Sequence, residues 1–246
     1  MSKSNVFVFG GSSPIAIALS LHLQAEYQVT HFSRNLKQDC FKEMLGKGIG
    51  LQELNLLDIQ LGSPQYRYLE SLFTRFLPEH LVFAQRSRES TLSDCLQIDV
   101  IAISLICELF ASFKSYPKKN VLLFTSPAAK FVQSAQAVAY HISKAAQHQM
   151  ARYYAANYKK YGIRFNCIAP GAFVEKDRSK EFFASNKELT NSIIKIVPIG
   201  RFTQIQEIVY TANFLLSEES GAINGQEIYL DGGISIIDQS QFASND

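Results

Sequence analysis

The feature that most constrains this chain is an alternation: short runs rich in β-branched and aromatic residues, separated by longer stretches with helical periodicity. The predicted strands are Val6–Phe9, Gln28–Phe32, Leu51–Leu54, His80–Phe83, Val121–Thr125, Arg164–Ile168 and Glu227–Leu230. Helices are predicted from Pro14 to about Ala25, around Pro64–Phe76 and Leu92–Phe113, from about Ala137 to Tyr161, and from about Gln206 to Leu216. Strands joined by helices of this length require right-handed crossovers, and these produce a parallel sheet covered on both faces. The expected class is α/β with a doubly wound sheet, whose ligands lie beyond the carboxyl ends of the strands.

The 246 residues contain no Pro/Ser/Gly-rich linker, charge run or repeat, so the expectation is one domain over residues 1–246. The net charge of +2, from 24 basic and 22 acidic residues, argues against nucleic acid or an acidic membrane surface as partner. The longest apolar stretches, Val121–Phe124 and the region around Ile98–Leu109, look too short or too interrupted by Asp99 and Glu108 to cross a membrane. The N-terminal Met1–Asn5 leads straight into a strand rather than a signal-peptide core, so a cytoplasmic location is expected. Four scattered cysteines without CxxC spacing look like reduced thiols, and five histidines form no metal-ligand pattern.

Two local patterns carry chemistry. The first strand runs into Gly10-Gly11-Ser12-Ser13-Pro14-Ile15-Ala16, a small-residue turn opening a helix, where backbone amides and the helix dipole favour a pyrophosphate. Ser13 is placed to cap that helix and Pro14 to occupy its first position. The alternative is an ordinary Gly/Ser-rich connection. Tyr140 and Lys144 stand four apart on the long helix and share one face. An ammonium close to a phenol stabilises the phenolate, which makes a general acid/base.

Beyond these patterns, Tyr140-His141-Ile142-Ser143-Lys144-Ala145-Ala146 is followed by Tyr161-Gly162-Ile163-Arg164-Phe165-Asn166-Cys167-Ile168-Ala169-Pro170-Gly171. Pro198-Ile199-Gly200-Arg201-Phe202, Glu207, Phe214-Leu215-Leu216-Ser217, Asn224-Gly225-Gln226 and Leu230-Asp231-Gly232-Gly233 come next, in order. Together they resemble the short-chain dehydrogenase/reductases over nearly the whole chain, with the C-terminal pattern similar to the 3-oxoacyl-carrier-protein reductase branch. The resemblance implies a single-domain Rossmann fold and an NAD(P)-dependent oxidoreductase of carbonyls or secondary alcohols. It assigns the acid/base to Tyr140, ribose binding and phenolate support to Lys144, carbonyl orientation to Ser126, and a proton-relay position to Asp99, where the family pattern has asparagine. It gives the cofactor Gly10, Ser12, Ser13, Ile15, Ser33, Arg34, Asn55, Leu56, Ala84, Tyr140, Lys144, Pro170, Gly171 and Phe173. Residues 173–196 would form a substrate lid, and a homodimer or homotetramer is implied, supported by the apolar Met150, Tyr153, Tyr154 and Tyr158.

Ser33 and Arg34 at the end of the second strand, with no acidic residue there, favour NADPH over NAD. The substrate would be a small-molecule or carrier-linked carbonyl. Several positions depart from the family pattern: the glycine turn keeps few of its glycines, Phe83-Ala84-Gln85-Arg86 replaces NNAG, Asn55 replaces aspartate at the adenine contact, and Glu175 replaces threonine. These departures leave a second reading open, that of a dinucleotide-binding protein with weakened catalysis and a regulatory or scaffold role. Asp99 also has an alternative, a place on the solvated side of its helix.

Overall fold

The computed structural model describes residues 3–87, 91–113, 119–171, 174–175 and 183–238. Its strands are β1 Asn5–Phe9, β2 Gln28–Ser33, β3 Gly50–Glu53, β4 His80–Phe83, β5 Lys119–Phe124, β6 Ile163–Pro170, β7 Val174–Glu175, β8 Thr203–Gln204 and β9 Glu227–Leu230. The helices are α1 Pro14–Leu23, α2 Cys40–Gly46, α3 Pro64–Phe76, α4 Leu92–Leu96, α5 Ala102–Ser112, α6 Val138–Asn157, α7 Lys187–Ile196 and α8 Ile205–Leu216. Seven strands form one parallel sheet in the order β3-β2-β1-β4-β5-β6-β9, and β7 pairs with β8 as a separate parallel ribbon. This is the doubly wound α/β fold expected from the alternation.

The strands read as continuous apolar runs because both faces of the sheet are buried. In β1, Phe7 and Phe9 face one core with Phe73, Ile106 and Phe110, whereas Val6 and Val8 face the other with Leu19, Phe41 and Leu215. The chain winds outward from β1 through β2 to β3, then returns to β4 on the other side of β1. That reversal opens a crevice at the carboxyl ends of β1 and β4.

Three elements escaped the periodicity. Helix α2 is short, and α7 occupies the second half of the segment read as a lid. The predicted 92–113 helix contains a π-helical stretch, Gln97–Ile101, between α4 and α5. The 21 residues Leu92–Ser112 are also longer and more apolar than the sequence reading allowed: they pass the length and composition test for a membrane span. In the fold more than half of this stretch is buried, as in a core helix.

Candidate active site

A cleft of about 380 Å³ occupies the crevice and is lined by Gly10, Gly11, Ser12 and Ser13 of the first turn, by Ser33 and Arg34, by Asn55 and Leu56, and by Gln85, Arg86 and Ile98. Seven of the predicted cofactor residues thus meet on one surface. The turn is held by backbone contacts: Gly11 has φ +53°, and its N–H donates to the Phe32 carbonyl at 3.0 Å. A Cβ on Gly10 would lie 2.1 Å from the Ala16 Cβ, so this glycine lets the turn press against α1. Pro14 takes the first helical position as expected, but Ser13 makes no side-chain cap. The leading amides of α1 are therefore left without a capping side chain, the arrangement an anion uses. The donor set and the close turn fit a dinucleotide's phosphates.

His31, not singled out from sequence, anchors this turn. Its Nε2 lies 2.8 Å from the Gly11 carbonyl and its Nδ1 2.9 Å from the Ser20 hydroxyl of α1. A carbonyl only accepts, so Nε2 carries the proton and Nδ1 accepts from Ser20. Burial drives the His31 pKa down to about 4, which keeps the ring in this neutral form.

Other cofactor candidates stand differently from the expectation. The buried Ser33 hydroxyl donates to the Asn35 carbonyl at 2.9 Å, so its proton is engaged within its own turn. Asn55 donates to Asp58 Oδ2 at 2.9 Å and accepts from the Leu57 amide at 3.3 Å, which uses one of the lone pairs assigned to adenine. Ile15 packs on the core, and Ala84 is buried beneath Gly10, so neither lines the cleft. Pro170 ends β6, and Gly171 is bound to Leu230 of β9 at 2.9 Å, also away from that lining. Phe173 lies outside the described residues, as do residues 176–182 and the side chain of Glu175.

The acid/base candidates lie on α6 and the elements packed against it. Tyr140 is half-buried, with the Lys144 ammonium 5.9 Å from its ring centroid. Lys144 is 2% exposed and donates to the Phe124 carbonyl at 3.1 Å and to Gln147 Oε1 at 2.9 Å, leaving one N–H for a further acceptor. Gln147 was not foreseen; its i+3 spacing from Lys144 was the available signal. Ser126 follows β5, and its Oγ accepts from the Ala128 amide at 3.2 Å. Its proton finds no acceptor among the described residues and is free to donate to a carbonyl.

Asp99 is fully buried, which removes the solvated-side alternative. The π-helical stretch turns it toward α6, where Ser143 donates to its Oδ2 at 3.0 Å and Oδ1 has no partner among the described residues. Burial raises its pKa, opposed by the charge of Lys144 and the Ser143 hydrogen bond.

Residues 82–235, more than half of the chain, match the family model described as enoyl-(acyl carrier protein) reductase. The chain belongs to the short-chain dehydrogenase/reductase family. A 97-residue stretch is 33% identical to gluconate 5-dehydrogenase of Gluconobacter oxydans, covering 39% of this chain and 37% of that protein. Another of 73 residues is 44% identical to a 3-oxoacyl-[acyl-carrier-protein] reductase of Chlamydia trachomatis, covering 30% and 28%. The match thus spans about a third of the length of these curated relatives. Among solved structures, gluconate 5-dehydrogenase from Burkholderia cenocepacia in complex with NADP and tartrate shares the fold at TM-score 0.77, with 18% identity over 97% of both chains. An actinorhodin polyketide ketoreductase with NADPH superposes at TM-score 0.78, with 17% identity over 96% of this chain and 100% of that one.

Within this short-chain dehydrogenase/reductase, the Phe83 that replaces the first amide of NNAG finds a physical role. It stacks on Phe9 with centroids 4.9 Å apart, and Phe9 stacks in turn on Phe32 at 4.5 Å. Three aromatic rings thus tie the central strands where the motif's side-chain amides are missing. Gln85 and Arg86, which follow, enter the cleft in place of Ala84.

Proposed function

We propose that this chain catalyses hydride transfer between a nicotinamide cofactor, NADPH by preference, and a carbonyl or secondary alcohol, with 3-oxoacyl-carrier-protein reductase-like chemistry among its options. The observation that carries the reading is the convergence of Tyr140, the buried Lys144 and the proton-bearing Ser126 hydroxyl where α6 packs against the end of β5. A module that only bound a dinucleotide would have no physical need for a phenol and an ammonium there. The relatives named as dehydrogenases and reductases support it, and the two neighbours solved with NADP or NADPH support the cofactor class.

When bound, the nicotinamide supplies or accepts hydride. Ser126 donates to the carbonyl oxygen and fixes its direction. Tyr140 gives the proton to that oxygen in reduction and takes it back in oxidation. Lys144 offers its remaining N–H to the ribose, while Gln147 and the Phe124 carbonyl hold it in place. Asp99, through Ser143 and its open Oδ1, orders the proton route behind Lys144.

The exposed Arg34 supplies the cation for the NADP phosphate, with Ser33 shaping its turn. The four cysteines are free thiols, three of them buried, in keeping with a cytoplasmic protein. The oligomer proposal loses part of its first support, because Tyr154 is buried in this subunit and Met150 and Tyr158 pack on the same core. It rests instead on exposed Ile101, Val138, Ile142 and Tyr153. Sedimentation at micromolar concentration is expected to show a dimer or tetramer, and a 27.6 kDa species alone contradicts it.

The test is incubation of the purified protein with NADPH or NADH and a panel of ketones, aldehydes and carrier-linked 3-oxoacyl groups, following loss of reduced-nicotinamide absorbance. Turnover with lower KM for NADPH, and a preference that falls about tenfold in Arg34→Ala, is expected. Cofactor binding without turnover across the panel supports the weakened binding protein instead.

A further inference from the structure

Resting on that reading, we propose that Gln85 and Arg86 form an oxyanion subsite that binds a carboxylate or phosphate carried by the carbonyl substrate, so that this enzyme acts on oxo acids or phosphorylated ketones in preference to neutral carbonyls. Both side chains follow the carboxyl end of β4 and line the cleft. Both polar atoms of the Gln85 amide are shut away from solvent, and neither has a hydrogen-bond partner among the described residues. Buried amides are almost always satisfied, and leaving one unpaired costs about what a lost hydrogen bond costs. An orphaned amide at the wall of a cleft is therefore a group set for a ligand.

Arg86 supplies the charge. Its guanidinium carbon lies 5.2 Å from the Tyr140 ring centroid, and Nη2 donates to Gln136 Oε1 at 2.8 Å. Neither partner is an anion, and among the described residues Arg86 makes no ion pair. The other cation beside the phenol, Lys144, donates to Phe124 and Gln147, and its third N–H is the one assigned above to the ribose. An exposed arginine resting on an aromatic ring is unremarkable alone. Beside the Gln85 amide it completes a donor pair of charge-assisted and neutral N–H groups that suits an oxyanion. Because Arg86 packs on the ring whose hydroxyl meets the reacting carbonyl, the anion sits within a few bonds of that carbonyl, as in a 2-oxo or 3-oxo acid. The same cleft holds the cofactor's phosphates, so the anion's source needs its own experimental arm.

The experiment compares reduction of 2-oxo-2-phenylacetate with reduction of its methyl ester by NADPH, in the wild type, Arg86→Gln, Arg86→Lys and Gln85→Leu. The wild type is expected to prefer the acid, and the acid-to-ester ratio of kcat/KM to fall about tenfold or more in Arg86→Gln, with Arg86→Lys intermediate and Gln85→Leu lower than wild type. An unchanged ratio overturns the subsite, and an unchanged ratio with weaker NADPH binding by fluorescence titration assigns the guanidinium to the cofactor's phosphates. A turnover-free arm measures oxalate binding to the NADP⁺-loaded protein by calorimetry. Binding that is kept in Tyr140→Phe and lost in Arg86→Gln supports the subsite even if no carbonyl is reduced, a result that would sink the proposed activity alone. No oxalate binding by the wild type overturns the subsite even where neutral ketones are reduced.

Discussion

The cleft that the first turn lines, and the α6 residues Tyr140 and Lys144 that stand outside its lining, are built on opposite principles. At the α6 end, the working parts are side chains, Tyr140 and Lys144, fixed by helical spacing and by partners on the same helix or the adjacent strand. At the β1–α1 end, the working parts are the backbone amides that open α1, and the turn that places them depends on residues remote in sequence: the Phe32 carbonyl accepts from Gly10 and Gly11, and His31 donates to the Gly11 carbonyl. Substitution at the first end removes chemistry, whereas substitution at the second moves a backbone and acts through cofactor affinity and stability. The family's glycines are mostly gone from the turn, and the neighbouring strand supports it through Phe32 and His31.

The largest expected effect sharpens this contrast. Tyr140→Phe keeps the ring against Arg86 and Lys144 but cannot move a proton, so kcat should fall about a thousandfold while NADPH affinity stays within a few-fold. Stopped-flow turnover and fluorescence titration on the same sample check it. A variant retaining more than about a tenth of the rate would remove Tyr140 from the acid role.

At the other end, the largest effect lies in acid stability. The His31 pKa is depressed in the folded state to about 4 from 6.5, so between these values the unfolded chain binds the proton that the native ring refuses. The stability His31 contributes is complete above about pH 6.5 and is lost as pH falls toward 4, on the order of 3 kcal/mol over the window. Protonation would also turn Nδ1 into a donor and break its acceptance from Ser20. Denaturant unfolding from pH 7 to 4 should show a slope reduced by that amount in His31→Gln; equal slopes would contradict the anchor. His80, likewise lowered to about 4 by burial, supplies a parallel slope that the variant leaves in place.

A smaller effect comes from Gly10→Ala. The added methyl meets Ala16 at 2.1 Å, so the turn must shift, and NADPH affinity should fall on the order of tenfold with kcat at saturating cofactor nearly kept. Calorimetric titration with steady-state kinetics separates the two quantities. A lost kcat at full cofactor occupancy would erase the distinction between the ends.

The smallest effect belongs to Asp99. Its pKa is raised by burial, so Asp99→Asn, which keeps the hydrogen bond from Ser143, should retain activity with a shifted pH–rate profile. Asp99→Ala should cost about tenfold. Identical profiles for the wild type and both variants would take Asp99 out of the proton route.

This contrast also explains what the sequence could disclose. Tyr140, Lys144 and the Ala145-Ala146 that follow are legible because a helix converts spacing into geometry, and the strand order follows from alternation and crossover handedness. His31 was not, since nothing in Thr30-His31-Phe32 says that its ring reaches back to Gly11. Gln85 and Arg86 were visible only as a departure from a pattern, because the unmet amide exists only once the cleft has closed around it. The side of its helix that Asp99 takes is not legible, because a π-helical turn changes which way the residues face and no local propensity announces that turn. Ser33 and Asn55 line the cleft, but their local turns engage polar atoms that the resemblance gives to the ligand.

The most direct test of the central claim follows the hydride itself. NADPH carrying deuterium at the transferable position is incubated in slight excess of the protein with an accepted carbonyl, and the product alcohol is read by mass spectrometry. The account predicts deuterium on the former carbonyl carbon in the wild type, and about a thousandfold less over the same short incubation in Tyr140→Phe, although both bind NADPH. Deuterium in neither product, with NADPH bound by both proteins, would contradict it.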